Sequence, residues 1–236
     1  MKADNQITTE RANWSFSGEV AKHFDDHVDK SVPGYHEGHE LVVKLSDFFC
    51  IPNSICYEIG VSTGILINKV AQQNNHKKDV KFFGIDIEED MVALARSRCV
   101  GNKKIKIIRD DVRLHPYEKT DLFIAYYVVQ FIPARDRQKM IDLIYERLNW
   151  GGAFIWFEKV RGPDARFQDI LVNLYTNFKR ENDFSAEEIL NKTESLKGVM
   201  EPFSSEGNRE LLQRAGFKDV MPVYRNLCFE GLLCIK

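Results

Sequence analysis

The sequence predicts an α/β protein on a doubly wound, mostly parallel sheet of seven strands, and three observations predict it. Between Ser54 and Lys159, short apolar runs alternate strictly with segments of helical periodicity, the rhythm of right-handed parallel crossovers. The first run breaks into Glu58-Ile59-Gly60-Val61-Ser62-Thr63-Gly64, and the second ends in Gly84-Ile85-Asp86. Two closing runs, Asp219–Arg225 and Leu227–Ile235, are joined too tightly for a parallel crossover and must pair antiparallel.

The elements follow in order. Residues 1–13 are polar and are expected to be loosely ordered. From Trp14 to Tyr35, the residues Trp14, Phe16, Val20, Phe24 and Val28 recur about every four positions, as in a helix lying on a core. Ser31-Val32-Pro33-Gly34-Tyr35 is a turn, and a helix over Gly38–Phe49 follows. Residues 1–50 therefore form an N-terminal helical cap, and 51–236 the main domain. Its strands are Ser54–Ile59, Lys81–Asp86, Ile105–Arg109, Leu122–Val129 and Ala153–Lys159. The helices between them are Gly64–Gln73, Glu89–Cys99 and Arg135–Leu148. Glu88, Glu89 and Asp90 sit where carboxylates meet the positive end of the helix dipole, and Gly151-Gly152 stops the last helix. After Val160 the rhythm changes: helical stretches at 164–180 and 185–200 have no strand between them. They form an insertion at about 161–203, before a helix at Ser204–Ala215 closed by Gly216.

Composition narrows the class. Lys plus Arg total 33 against 35 Asp plus Glu, so the overall field exerts no pull toward nucleic acid. No apolar run approaches a membrane span, and the polar N-terminus has no secretory h-region. Five unevenly spaced cysteines in apolar contexts (Cys50, Cys56, Cys99, Cys228, Cys234) are expected as free, buried thiols of a cytoplasmic protein.

Glycines at Gly60 and Gly64 let the backbone approach a nucleotide-like ligand, and Asp86 can accept from both ribose hydroxyls. The cofactor expected is thus adenosine-containing, but the spacing is not the G-x-G-x-x-G that seats a pyrophosphate. The run resembles the first motif of class I S-adenosylmethionine-dependent methyltransferases. That resemblance implies a Rossmann-like fold whose last strand inserts antiparallel, with S-adenosylmethionine as cofactor. In this frame Glu58 organises the loop, Gly60 to Ser62 approach the methionine part, and Asp111 lies where the adenine amino group binds. Tyr126, Tyr127 and Gln130 end the fourth strand, where aromatic faces can hold a sulfonium. His23 and His27 are spaced i,i+4 but have no third ligand, so surface histidines and no metal are expected. Lys179-Arg180 reads as a solvated charged face.

A narrower resemblance covers nearly the whole chain. Trp14-x-Phe16, Ser31-Val32-Pro33-Gly34-Tyr35, Gln130-Phe131, Asn173, Phe178-Lys179-Arg180, Val199-Met200 and Ala215-Gly216-Phe217 are similar to the carboxy-S-adenosylmethionine synthases of the tRNA wobble-uridine oxyacetic acid pathway. The resemblance implies a homodimer, and Tyr35, Gly60, Val61, Ser62, Asp86, Ile87, Asp111 and Val112 around the ligand. Two positions depart. Thr193 stands where the family holds its product's extra carboxylate with an arginine, and Tyr126 where it has an asparagine. Lys192 points about 100° away from Thr193 on an ideal helix. The leading expectation is therefore methyl transfer to a small-molecule acceptor, with no assigned base and with Tyr35, Tyr126, Tyr127 and Tyr175 shaping the pocket. The alternatives are a carboxy-S-adenosylmethionine synthase using prephenate, with Arg180 or Arg161 as substitute cation, and a non-catalytic cofactor-binding regulator.

Overall fold

A computed structural model of the chain describes residues 1–4 and 7–236. Strands β1 (Lys2–Asp4) and β2 (Ile7–Thr8) pair antiparallel where loosely ordered chain was expected. Asn5 and Gln6, within that stretch, lie outside the described residues. The correction has a simple cause: Ala3 and Ile7 are buried with Trp14 and Val20 in a small core of their own. Helix α1 (Glu19–Ser31) begins later than its apolar pattern does, so Trp14 and Phe16 lie in the stretch before it, and α2 (Tyr35–Phe49) follows the turn directly.

The strands β3 (Ile55–Ile59), β4 (Lys81–Asp86), β5 (Ile105–Arg109), β6 (Thr120–Tyr126), β7 (Leu148–Lys159), β8 (Asp219–Asn226) and β9 (Phe229–Ile235) form one sheet, ordered β5-β4-β3-β6-β7-β9-β8. The first five run parallel, and β9 is antiparallel to both of its neighbours. Period-two alternation sends Leu122 and Ile124 to one face and Phe123 and Ala125 to the other. The first face packs on α2, α3 (Ile65–Gln73) and α4 (Glu89–Cys99) through Val42, Ile67, Val70 and Ala95. The second packs on α5 (Ala134–Arg147) and α8 (Ser205–Ala215) through Met140, Ile144 and Leu212. All five cysteines are free and buried.

Several boundaries moved. Helix α5 ends at Arg147 and β7 begins at Leu148, not Ala153, so Gly151-Gly152 lie inside the strand and do not stop the helix. Strand β6 stops at Tyr126, not Val129, because Tyr127 takes φ +60° and Val129–Phe131 form a 3-10 turn. Between β7 and α8 stand α6 (Ala165–Glu181) and α7 (Ala186–Ser195). A Ser185–Glu188 capping box starts α7. The chain turns at Gly198 (φ +69°), so this helix ends well before Met200.

The strand order reverses at β3, which has β4 on one side and β6 on the other. In open α/β sheets that switch point opens a crevice at the carboxyl ends of the strands. There Gly60 and Tyr127 come together.

Candidate active site

A cavity of about 800 Å³ opens at this switch point. Glu58, Gly60, Val61 and Ser62 line it from the β3–α3 turn, Asp86 and Ile87 from the end of β4, and Asp111 and Val112 from the end of β5. Tyr35, Tyr126, Tyr127 and Tyr175 line it as well. Gly64 is outside the lining: it precedes α3 and packs against Ala95 of α4. Arg180 is exposed and also outside, whereas its neighbour Lys179, read from sequence as part of a solvated face, is buried and lines the cavity.

The turn is built for close approach. Gly60 takes φ +69°, and a Cβ there would strike Val128. The Ser62 N–H donates to Asp86 Oδ2 at 2.8 Å and the Glu88 N–H to Oδ1 at 3.0 Å. Burial raises the Asp86 pKa, opposed by these N–H groups, and each oxygen keeps a lone pair for a ribose hydroxyl. Glu58 is 3% exposed, and its Oε2 has no partner among the described residues. Burial and the nearby Asp86 hold it well above the carboxylate range. A buried acceptor facing a cavity gains most from a cation, which the α-ammonium of S-adenosylmethionine would supply. Asp111 is gripped by Arg113, whose guanidinium lies 2.6 Å from Oδ2, and is held below the usual carboxylate range. These residues fit the cofactor.

Aromatic rings form the middle. Tyr127 is buried, strained at φ +60°, and its hydroxyl has no partner among the described residues. Gln130 locks this bend by donating to the Tyr127 carbonyl at 3.3 Å and accepting from the Lys159 N–H at 3.0 Å. Glu158, raised to about 8 by burial, accepts from the Val129 N–H. His39 sits 4.5 Å from the Tyr35 ring and 4.6 Å from Tyr126, kept neutral by burial with its pKa near 3. Trp14, Phe16, Phe24 and Phe131 complete the wall, Phe16 meeting Phe131 edge-on at 4.9 Å.

From Tyr127 a line of rings runs to Phe229 (5.5 Å) and on to Tyr175 (5.4 Å). The Lys159 and Lys179 ammoniums lie 4.4 and 4.3 Å from the Tyr175 centroid. Lys192 lines the same space, 5.0 Å from the Trp14 ring. Burial lowers all three pKa values, Lys179 to about 8; repulsion adds to it, from Arg161 at Lys159, from Lys159 at Lys179, and from Lys179 and Lys159 at Lys192. Among the described residues, no carboxylate forms an ion pair with Lys159 or Lys179. Thr193 also lines the cavity, but it is exposed and its hydroxyl bonds back to the Ile189 carbonyl at 2.8 Å. His27, expected on the surface, is 3% exposed and contacts Lys192. The sequence reading passed over Lys159 as a cavity cation, although a lysine closing an apolar strand at the ligand edge was a usable signal. Lys192 and His27 gave no such signal, because only the docking of α7 on β1, with Lys192 reaching α1, brings them together.

A family model described as "Methyltransferase domain" matches residues 57–152. A carboxy-S-adenosyl-L-methionine synthase of Staphylococcus epidermidis is 36% identical over 224 residues, 94% of this chain and 97% of that protein. The chain belongs to the carboxy-S-adenosyl-L-methionine synthase family. A second synthase, from Campylobacter lari, is 30% identical over 94% of each chain. The fold recurs in human N-acetylserotonin methyltransferase in complex with SAM, with a TM-score of 0.63 at 16% identity. That alignment covers 93% of this chain and 56% of the human one. An O-methyltransferase family protein from Burkholderia thailandensis gives a TM-score of 0.66 at 13% identity, over 92% and 60% of the two chains. This synthase-family chain is a transferase with a class I methyltransferase fold, and S-adenosylmethionine is its cofactor.

Proposed function

We propose that the chain carboxylates its cofactor, with prephenate the donor that the family resemblance implies. Prephenate gives up its ring carboxylate as carbon dioxide and its ring hydroxyl as hydroxide, leaving phenylpyruvate. That hydroxide takes a proton from the S-methyl carbon of S-adenosylmethionine, forming water, and the carbon dioxide bonds the same carbon, making a carboxy-S-adenosylmethionine. One observation carries this reading: three lysines with lowered pKa values line the cavity that also holds the cofactor turn. Desolvated ammoniums are costly, Lys159 and Lys179 have no ion-pair partner among the described residues, and a neutral acceptor would give them nothing. An anion among them would.

Asp86 would hold the ribose, Asp111 and Val112 the adenine end, and Glu58, Gly60, Val61 and Ser62 the methionine part, with Ile87 and Tyr35 alongside. When bound, the cofactor supplies a sulfonium that activates its attached methyl carbon. Tyr35 and Tyr127 offer ring faces to that positive charge. Lys159, Lys179 and Lys192 would hold carboxylates, so the cationic role that Thr193 lacks falls to its neighbour Lys192. Arg161 lines the same cavity and would steer the anion inward. Residues 1–50, the cap, would exclude water.

Mass spectrometry of the small molecule released from purified protein tests this. Recovering the carboxylated cofactor supports the reading. Recovering only S-adenosylmethionine or S-adenosylhomocysteine, with no carboxylation in the presence of prephenate, overturns it. The second reading, methyl transfer to a small anionic acceptor, then stands; Thr193 in the arginine position favours it.

A homodimer belongs to the same proposal. Phe167, Ile170 and Leu174 leave an apolar stripe on α6 about half exposed, at the i, i+3, i+7 spacing of one helix face. Sedimentation velocity on the wild type and on Ile170→Glu would measure it. A cytoplasmic setting is supported by five unpaired buried thiols, and no helix among the described residues is long and apolar enough to cross a membrane.

A further inference from the structure

Asp4 comes from a three-residue strand at the start of the chain, yet its Oδ2 lies 2.5 Å from Nδ1 of His27 on α1. The opposite ring nitrogen, Nε2, contacts the Lys192 amine on α7, and Lys192 Nζ also reaches Ser31 Oγ at 3.4 Å. A carboxylate at Nδ1 fixes the proton there, which leaves the Nε2 lone pair to accept from Lys192. His27 is neutral: burial, with repulsion from Lys192 and Lys179, takes it down to about 4 against the pull of Asp4. Trp14 and Phe184 pack on its ring at 5.6 and 5.7 Å, so the imidazole has little room to turn.

Strand β1 is fastened to the helix that carries Lys192. Asn191 donates to the Lys2 carbonyl at 2.8 Å, and Lys2 pairs with Glu188 at 3.5 Å. The Ala12 and Trp14 N–H groups donate to the carbonyls of Glu194 and Ser195. The charged groups acting on Lys192 are Lys179 from α6 and Lys159 from β7, which repel its proton, and Asp4 from β1, which favours it. An anion entering among the three lysines would add to the same side as Asp4.

This inference rests on the anion-site reading above. We propose that Asp4, acting through His27, is a positioning residue for Lys192: it aims the amine into the cavity and lets it take up a proton from solvent as an anionic substrate binds. Strand β1 is then part of the active site. Only a proton moves, from solvent to the Lys192 nitrogen, and it leaves again when the anion does.

The first test needs no ligand. In full-length protein labelled with ¹³C-lysine, the Lys192 side chain, assigned with Lys192→Gln, is titrated by NMR in the wild type, Asp4→Asn and Asp4→Glu. The expected result is titration about one pH unit lower in Asp4→Asn, with recovery in Asp4→Glu. An unchanged Lys192 titration in Asp4→Asn overturns the proposal. The second test is calorimetry of prephenate binding to S-adenosylhomocysteine-loaded protein at pH 8, in HEPES and in Tris. About one proton taken up per prephenate in the wild type is expected. In Asp4→Asn, uptake should fall and binding weaken roughly tenfold, while S-adenosylhomocysteine affinity stays within about twofold. Equal uptake in both proteins overturns the relay. Absence of prephenate binding to the wild type overturns the anion-site reading instead, and the ligand-free titration still decides the relay.

Discussion

The Tyr126 hydroxyl donates to the Tyr35 carbonyl at 2.6 Å, so the residue closing β6 holds the first turn of α2 rather than the space above it. Tyr224 reaches the Pro33 carbonyl from the other side at 3.0 Å, and Gly34 (φ +68°) leaves no room for a Cβ beside that hydroxyl. The Ser31-Val32-Pro33-Gly34-Tyr35 turn is thus clamped between two tyrosines, which places the Tyr35 ring on the cavity wall. Tyr126, at the position where the family has an asparagine, is a strut.

Removing that strut should cost stability and spare the ligand. Tyr126→Phe keeps the ring and loses one hydrogen bond, for about 1 kcal/mol. Chemical denaturation should show that loss, with S-adenosylhomocysteine affinity unchanged within about twofold. A large affinity loss would mean that the hydroxyl serves the cofactor.

Asp86 should behave in the opposite way. Asp86→Asn exchanges a charged acceptor for an amide between two N–H donors, Ser62 and Glu88. Hydrogen bonds to charged groups contribute about 1.5–3 kcal/mol. S-adenosylmethionine binding by calorimetry should therefore weaken roughly 10–100-fold.

Lys179 should trade stability for binding. Burial lowers its folded pKa from 10.5 to about 8, so the unfolded chain holds this proton more tightly. The resulting penalty is full below about pH 8, of order 3 kcal/mol, shrinks as pH rises, and is gone above the unfolded value. Lys179→Met should raise the melting temperature at pH 7 by roughly 6–12 °C, with the gain fading toward pH 10, while prephenate binding is lost. A melting temperature that falls at pH 7 would show that the amine is not held at a cost.

Asp25 should control how long the cofactor stays. It accepts from the Thr63 hydroxyl at 2.6 Å and from Arg98 at 2.8 Å, and Arg98 also donates to the Thr63 carbonyl at 2.8 Å. This clasp ties α1 to the cofactor turn. Asp25→Ala should speed S-adenosylhomocysteine dissociation in stopped flow roughly tenfold. An unchanged rate would mean that α1 is not the gate.

How much was legible follows the range of the forces. Strands β3, β4 and β5 and helices α3 and α4 were placed from sequence within a residue or so, because local periodicity and turn chemistry specify them. The hairpin β1–β2 was missed: its two buried apolar residues sit in a polar run, and they are buried only by tertiary packing with Trp14 and Val20, while α7, nearly 190 positions away, fastens the strand. The end of β6 was overrun by three residues, because an apolar run does not reveal a left-handed Tyr127. Near the cofactor turn, the residues named from sequence line one cavity, Gly64 aside. On the anion side, two cations were anticipated: Arg161 lines the cavity, Arg180 lies outside it, and Lys179, one position earlier, faces in.

The sequence by itself determined the sheet, its crossovers and the turn at Glu58–Gly64, since each rests on residues close together in the chain. Only the tertiary structure decided which cations face inward. On α6 and α7, adjacent residues differ by about 100° in direction, and both helices were recognisable without their orientation. Contacts with α1, β1 and β9 turned Lys179 and Lys192 toward Tyr175 and Trp14, and left Arg180 exposed outside the cavity. The charge of the site is therefore a property of how the helices dock.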